Sequence, residues 1–242
     1  MAEPLYQLDQ VSVVHADGRI ALHRINLQID PGERVVVLGS NGSGKSSLLH
    51  LLNALSLPSS GECKFERTVL DRTQLRDRQW ERTFRRRVAF MFQQPEAMLF
   101  NPTVEDEIRY GLHDNPTASQ SELVLQWASS LGLEHRLGSS PWDLSGGEKQ
   151  RLCLASLLAP APEVLLLDEP TANLDPRTTG WLVAWLRQRS LTTVTATHHI
   201  GRAADLGDRA VIINENHEIA FDGPIQDVLA NRPLLLANNL TY

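Results

Sequence analysis

The chain has 242 residues, 42% of them hydrophobic and 21% charged, and a formal net charge of −6. That length buries a substantial core and is most simply one domain with room for an inserted subdomain. The acidic balance argues against a broadly nucleic-acid-binding or membrane-adhering surface.

The start, Met1-Ala2-Glu3-Pro4, has neither a basic region nor a following apolar stretch, so no secretory leader is read there. The most apolar region, Leu152 to Leu167, is broken by Pro160 and Pro162 and carries Glu163, which disqualifies it as a spanning helix. Cys63 and Cys153 lack C-x-x-C spacing and read as buried reduced thiols, which suits the cytoplasm.

Val11 and Val13, then Ile25, Leu27 and Ile29, alternate with polar residues around Asp17-Gly18, the pattern of two strands and a turn. Pro31-Gly32 turns the chain into the apolar run Val35-Val36-Val37-Leu38. Next, Gly39-Ser40-Asn41-Gly42-Ser43-Gly44-Lys45-Ser46-Ser47 fits G-x-x-x-x-G-K-[ST] and leads into the periodic Leu48 to Leu52. In this strand–loop–helix setting the glycines let backbone N–H groups point inward at β- and γ-phosphates. The helix adds the positive end of its dipole, Lys45 a mobile cation, and Ser46 a hydroxyl for Mg²⁺. Alone, the loop specifies a nucleoside triphosphate and nothing finer, because kinases, GTPases, helicases and transport ATPases share it.

Pro58 to Gly61 is a loop, and Glu62 to Val69 reads as a short strand pair. Arg76 to Arg87 mixes arginines with Trp80 and Phe84, which favours an amphipathic helix with a solvated basic face over an anion site. Val88 to Phe92 is a buried-type strand ending at Gln93-Gln94-Pro95. Helical patterns follow over Val104 to Tyr110 and Ser121 to Leu131, punctuated by Pro116, Gly132, Gly138 and Pro141. Leu144-Ser145-Gly146-Gly147 opens a helix over Glu148 to Leu158 with serine near its start as a cap.

Val164 to Leu167 fits a central parallel strand and ends in Asp168-Glu169. A helix after Pro176, a strand over Thr193 to Thr197, a short helix through Leu206 and a strand over Ala210 to Ile213 come next. A hairpin-like segment then reaches Gly223, and a short helix with a loosely patterned end closes the chain from Pro224.

Carboxylates at the carboxyl end of a buried strand stand where open α/β sheets bind ligands. Asp168 is placed to hold Mg²⁺ and Glu169 to polarise an attacking water. Ser145 with the bare amides of Gly146 and Gly147 makes a second anion-binding helix start, which one phosphate loop does not itself require.

With Leu144-Ser145-Gly146-Gly147-Glu148 lying between Gln93 and Leu165 to Asp168, the sequence resembles the nucleotide-binding subunits of ATP-binding cassette (ABC) transporters over about Leu8 to Val228. The resemblance places Walker A on Gly39 to Ser47, the Q-loop on Gln93, the signature on Leu144 to Glu148, and Walker B on Leu165 to Asp168. It makes Glu169 the catalytic glutamate, Asn173-Leu174-Asp175 the D-loop and His198 the switch histidine. Such ATPases pair head to tail. By that likeness Ser145, Gly146 and Gly147 cap the γ-phosphate held by a partner's Walker A. Gln93 then links the Mg²⁺ site to a helical subdomain, and ATP and Mg²⁺ are the expected ligands.

Two positions depart from the usual pattern: Glu148 stands for the customary glutamine, and His15 stands where an aromatic residue stacks on adenine. His15 reads either as that stacking group or as an exposed turn histidine, His199 as structural or exposed, and His217 as a turn residue.

The segment Phe92 to Phe100, followed by Pro102-Thr103-Val104-Glu105-Asp106-Glu107, is similar to that of energy-coupling-factor and cobalt-type importer ATPases, with Gln94 and Met98 as departures. Met98-Leu99-Phe100 then reads as either a docking groove for a membrane subunit or plain core packing.

The expected fold is α/β, a P-loop NTPase with a mainly parallel central sheet. It has an antiparallel β subdomain on the N-terminal side and an inserted helical subdomain. Residues 1–242 form a single domain, with a RecA-like core over about 1–92 and 159–231, a helical subdomain over about 95–158, and a tail over 232–242. The implied role is a cytoplasmic ATPase peripheral to the membrane, paired with a copy or a paralogue. It powers nutrient import through membrane subunits that dock near Gln93–Phe100, with no nucleic-acid partner. The rival is a soluble, non-transport ABC ATPase of iron–sulfur assembly, repair or translation.

Overall fold

The computed structural model describes residues 3–112, 120–172 and 174–241. Alternating apolar residues make β1 (Tyr6–Val14) and β2 (Ile20–Ile29) antiparallel partners, with Tyr6 opposite Ile29 and Leu8 opposite Leu27. A bulge between Leu8 and Val11 restores the apolar register, so that Val11 faces Ile25. With β4 (Ser60–Phe65) and β5 (Thr68–Val69) they form a four-stranded sheet in the order β2-β1-β4-β5.

The second sheet has six strands, ordered β10-β9-β3-β8-β7-β6. Its strands are β3 (Arg34–Leu38), β6 (Val88–Met91), β7 (Val164–Asp168), β8 (Thr192–Ala196), β9 (Arg209–Ile213) and β10 (Ile219–Pro224). All neighbours run parallel except β10, which returns antiparallel along β9. The expected α/β architecture is therefore present, with a mainly parallel sheet and an antiparallel sheet at the N-terminal side.

Both faces of the central sheet are covered, which is why Val35 to Leu38 of β3 and Val164 to Leu167 of β7 are unbroken apolar runs. Val35, Val37, Val164 and Leu166 join the core shared with the antiparallel sheet and α1 (Lys45–Leu52). Leu165 and Leu167 join a core built by α3 (Val104–Gly111), α4 (Gln120–Ser130), α5 (Gly146–Leu158) and α6 (Pro176–Arg187). Val36 and Leu38 pack with α7 (Ile200–Leu206), α8 (Ile225–Ala230) and α9 (Arg232–Ala237). Among the described residues no helix is long and apolar enough to cross a membrane.

The arginine-rich segment forms α2 (Arg78–Arg87), capped by Asp77, whose side chain accepts from the Gln79 and Trp80 N–H groups. Phe84 enters the core and stacks on Trp80, while Arg87 pairs with Glu66 and Glu163 and Arg85 with Glu81. This is the amphipathic helix that the pattern implies.

The last residues depart from expectation, because α9 is a helix where a loosely patterned end was read. Asn231 accepts from Leu234 N and Leu235 is buried against the α7–α8 cluster. A single turn carries too few repeats for a period to be visible, so the cap and the packing decide its conformation. Pro116 and Asn173 lie outside the described residues.

α3 packs tightly on α5 at Gly111, where a Cβ would lie 2.3 Å from Ser156 O. That neighbour is backbone and cannot rotate away. Gly111→Ala should cost about 1–3 kcal/mol by overpacking and lower Tm by roughly 2–12 °C in a thermal melt. An unchanged Tm would mean that α3 slides along α5 without penalty.

Candidate functional site

Three neighbouring strands end side by side. Ala196 of β8 lies opposite both Val37 of β3 and Asp168 of β7, so the loops that leave these strands emerge in one row. The row is stitched onward beyond the sheet, with Thr197 N donating to Val37 O at 3.0 Å and Glu169 N to Ala196 O at 3.0 Å.

The loop after β3 turns hard against the end of β9. A Cβ on Gly39 would lie 2.5 Å from Ile213 O, and one on Gly44 2.3 Å from Ala21 O, while Gly44 also holds φ at +114°. Only glycine fits there. α1 then starts with no side-chain cap, so its first-turn N–H groups point out of the loop without a side-chain partner. That is the donor set a phosphate needs.

Lys45 Nζ donates to Gly39 O at 2.8 Å and to Ser40 O at 2.9 Å, which holds the ammonium across the loop mouth. Burial pulls its pKa below the ordinary lysine value, and the nearby charges of Glu169 and Asp168 oppose that shift. Asp168 behaves in the opposite sense. Burial raises its pKa, and a hydrogen bond from the Ser46 hydroxyl is the main opposing influence. Ser46 and Asp168 thus present adjoining oxygens, a donor type that suits Mg²⁺.

Glu169 is buried and sits in the left-handed region at φ 49°, a conformation costing of order 1 kcal/mol for a non-glycine residue. Its side chain is held from the turn that follows β8. Oε2 accepts from Thr197 Oγ1 at 3.0 Å, and Oε1 accepts from His198 N at 2.8 Å and lies 2.5 Å from His198 Nδ1. Gln93, just past β6, is exposed and lines the same cleft.

The cleft has a volume of ≈ 1150 Å³ and gathers the loop from Asn41 to Ser47 with Gln93, Asp168, Glu169 and His198. Gly39 and Ser43 lie buried beneath it. His15 reaches its rim as an exposed residue of a tight turn, with His15 N donating to Arg19 O and Gly18 N to His15 O.

Leu144 to Glu148 are not among the residues lining this cleft. Ser145 instead caps α5 in a reciprocal box. Its Oγ accepts from Glu148 N, and Glu148 Oε2 accepts from Ser145 N at 2.9 Å and from Ser145 Oγ at 2.7 Å. These bonds, with Arg136 nearby, pull the Glu148 pKa down to about 2 and keep a negative charge on the exposed helix start. Asp175 is also a cap, accepting from the first turn of α6 and lying 3.5 Å from Arg151.

Two contributors escape a reading by motif. His217, expected only as a turn residue, does occupy the β9–β10 turn at φ 63°, and its Nδ1 also lies 3.0 Å from Ser43 O of the phosphate loop. No sequence signal links two residues 174 apart. Gln150 is buried in α5 and donates from Nε2 to Pro170 O at 2.6 Å, tying the signature helix to the residue after Glu169. A polar residue on the same helix face as Cys153 and Leu154 was its visible signal.

Comparison with known proteins agrees with this arrangement. The ABC transporter family profile matches residues 22–172. The nickel import ATP-binding protein NikO of Rhodobacter capsulatus is 39% identical, over 96% of this chain and 94% of its own. The structure of cbiO1 from Clostridium perfringens, part of the ABC transporter complex cbiONQ, superposes with a TM-score of 0.80 at 28% identity. It covers 99% of this chain and 96% of that one. The ATP-binding cassette MJ0796, a dimer in a post-hydrolysis state with ADP and Pi, matches with a TM-score of 0.79 at 27% identity, covering 91% of this chain and 98% of that one. With a family match over most of its length and a phosphate loop facing two strand-end carboxylates, the chain belongs to the ABC transporter family as an ATP-binding, ATP-hydrolysing subunit.

Proposed function

We propose that this subunit powers uptake of a small nutrient, a vitamin or a transition-metal ion, through separate membrane subunits at the cytoplasmic face of the membrane. It acts as one half of a head-to-tail ATPase dimer, with a second copy or a paralogue as the other half. One observation carries the dimer: Leu144 to Glu148, the helix start read as a second anion site, are absent from the lining of the chain's own cleft. A second subunit turned head to tail supplies it. The import reading leans on NikO, named for nickel import, and on cbiO1, part of a transporter complex; both weigh against a soluble, non-transport role.

In the proposed mechanism Lys45 and the N–H groups of Gly42 to Ser47 bind the β- and γ-phosphates, and His15 lies against the base. Ser46, Asp168 and Gln93 would hold Mg²⁺, which would supply charge neutralisation on the phosphate oxygens. Glu169 and His198 position the attacking water, and Ser145, Gly146 and Gly147 of the opposing subunit stabilise charge on the transferred group. Gln93 and Asp175 relay the state of the cleft to the helical part, about residues 95–158, which moves against the core of 1–92 and 159–231.

The Met98-Leu99-Phe100 run divides between its two readings. Leu99 is buried in the helical core, whereas Phe100 is 62% exposed and meets the exposed Tyr110 edge to face at 4.8 Å. With Leu55, Phe92 and Met98 they line a groove of ≈ 1590 Å³, the surface proposed for the membrane subunits.

Glu169→Gln should lower steady-state ATP turnover by about 10²–10⁴-fold and accumulate an ATP-bound dimer in size-exclusion chromatography. Normal turnover would refute the role given to Glu169. Glu148→Gln keeps the capping box but removes a charge that faces the opposing γ-phosphate. It should lower KM for ATP by about two- to fivefold, the size of a solvent-screened charge interaction, and a raised KM would place Glu148 elsewhere. Phe100→Asp should abolish transport in reconstituted vesicles while basal hydrolysis persists, and undiminished transport would remove this groove from the docking surface.

A further inference from the structure

We propose that Glu169, His198 and His199 form a binding site for a first-row divalent transition-metal ion such as Ni²⁺, Co²⁺ or Zn²⁺, and that its occupation stalls ATP hydrolysis. One ligand atom from each of the three lies within 4.8 Å of the other two. His198 Nδ1 and Glu169 Oε1 are in hydrogen-bond contact at 2.5 Å, a contact that an ion bound between them would replace, and the two imidazoles are neighbours, with centroids 4.0 Å apart and planes inclined by 37°.

The site is held by backbone and by one hydroxyl. Glu169 is locked in its left-handed conformation by the bond from its N–H to Ala196 O. Thr197 Oγ1 donates to Glu169 Oε2, which leaves Oε1 directed at His198, and accepts from His199 N at 3.1 Å. A hydroxyl that orients both the carboxylate and the chain carrying an imidazole is the outer-shell support that metal ligands require. His198 and His199 are both exposed, and His198 lines the cleft, so an ion reaches the site from solvent.

Donor chemistry sets the selectivity. Two imidazoles and one carboxylate suit nickel, cobalt, zinc and iron, whereas Mg²⁺ requires an octahedron of hard oxygens. The Mg²⁺ that accompanies the nucleotide would be held by Ser46, Asp168 and Gln93, so the two ions use separate donors. Cys63 and Cys153 are buried and offer no competing thiolate at the surface.

An ion on Glu169 Oε1 and His198 Nδ1 occupies the two groups that position water while leaving the phosphate loop free. Nucleotide therefore binds and turnover stops. The stall rests on the roles proposed above for Glu169 and His198; the site itself rests only on geometry and donor type.

The test uses the full chain without a tag or nucleotide, in buffer containing millimolar Mg²⁺. Co²⁺ is titrated by its visible ligand-field absorption and Ni²⁺ by calorimetry, and MgATP hydrolysis is then followed at buffered free Ni²⁺. One equivalent of each metal should bind. His199→Ala should lower the affinity at least about tenfold, keep basal hydrolysis within about twofold, and move the Ni²⁺ inhibition curve by the same factor. His199→Asn serves in its place if the alanine variant melts early, and Glu169→Gln provides a second loss-of-ligand readout for binding alone. Equal binding by wild type and the His199 variants, or no binding by either, overturns the site. Binding lost with inhibition unchanged, or bound metal without inhibition, overturns the stall and assigns any inhibition to replacement of Mg²⁺ on the nucleotide.

Discussion

The parallel register across β3, β8 and β7 is the constraint on which the site depends. Val37, Ala196 and Asp168 are cross-strand neighbours, so the phosphate loop, Glu169 and His198 leave the sheet within two strand spacings of one another. Parallel strands point their carboxyl ends the same way, which collects three chain-distant loops along one edge. Residues separated by well over a hundred positions become hydrogen-bond neighbours because of that direction alone. The cost is desolvation, visible in Lys45 and Asp168, whose pKa values are pushed toward their neutral forms by burial. A bound triphosphate with its Mg²⁺ would reverse both pressures.

The rest of the fold braces this row. On one side the antiparallel sheet presses Ala21 O against Gly44, and the β9–β10 turn places His217 on Ser43 O, so the phosphate loop is gripped from two elements outside its own strand–helix unit. On the other side α5 ties back twice, through Gln150 to Pro170 O and through Lys149 to Glu96 at 3.0 Å. The first contact adjoins Glu169 and the second adjoins Gln93. A displacement of α5 is therefore felt at the catalytic edge through these contacts as well as through the core that α5 shares with Leu165 and Leu167 of β7.

Much of this was legible in the sequence, and for identifiable reasons. The phosphate loop announces itself because glycine spacing is dictated by backbone geometry that no other residue satisfies, and Lys45-Ser46 follow at a fixed offset. The buried strand over Val164 to Leu167 is visible because a strand covered on both faces is apolar at every position. Ser145 carries cap chemistry in its own side chain, whereas the caps at Asp77 and Asp175 and the reciprocal bond from Glu148 to Ser145 emerge only in the structure. Where the pattern was short, the reading failed: α9 has one turn of leucines, too few for periodicity, and needs Asn231 and the α7–α8 surface to be a helix.

By itself, then, the sequence determined whatever is encoded within a single turn or strand: the phosphate loop, the Ser145 cap, the order of the elements up to α8 and the family to which the chain belongs. Only the tertiary structure decided which distant residues meet. It set Glu169 in a left-handed conformation against Thr197 and His198, brought His199 beside them, placed His217 under the phosphate loop, and kept Leu144 to Glu148 out of the chain's own cleft. The physical reason is one of range. Caps and glycine turns are decided by sterics and hydrogen bonds between residues a few positions apart, whereas a site at the ends of parallel strands is assembled by sheet register and core packing, which no local stretch of the chain contains.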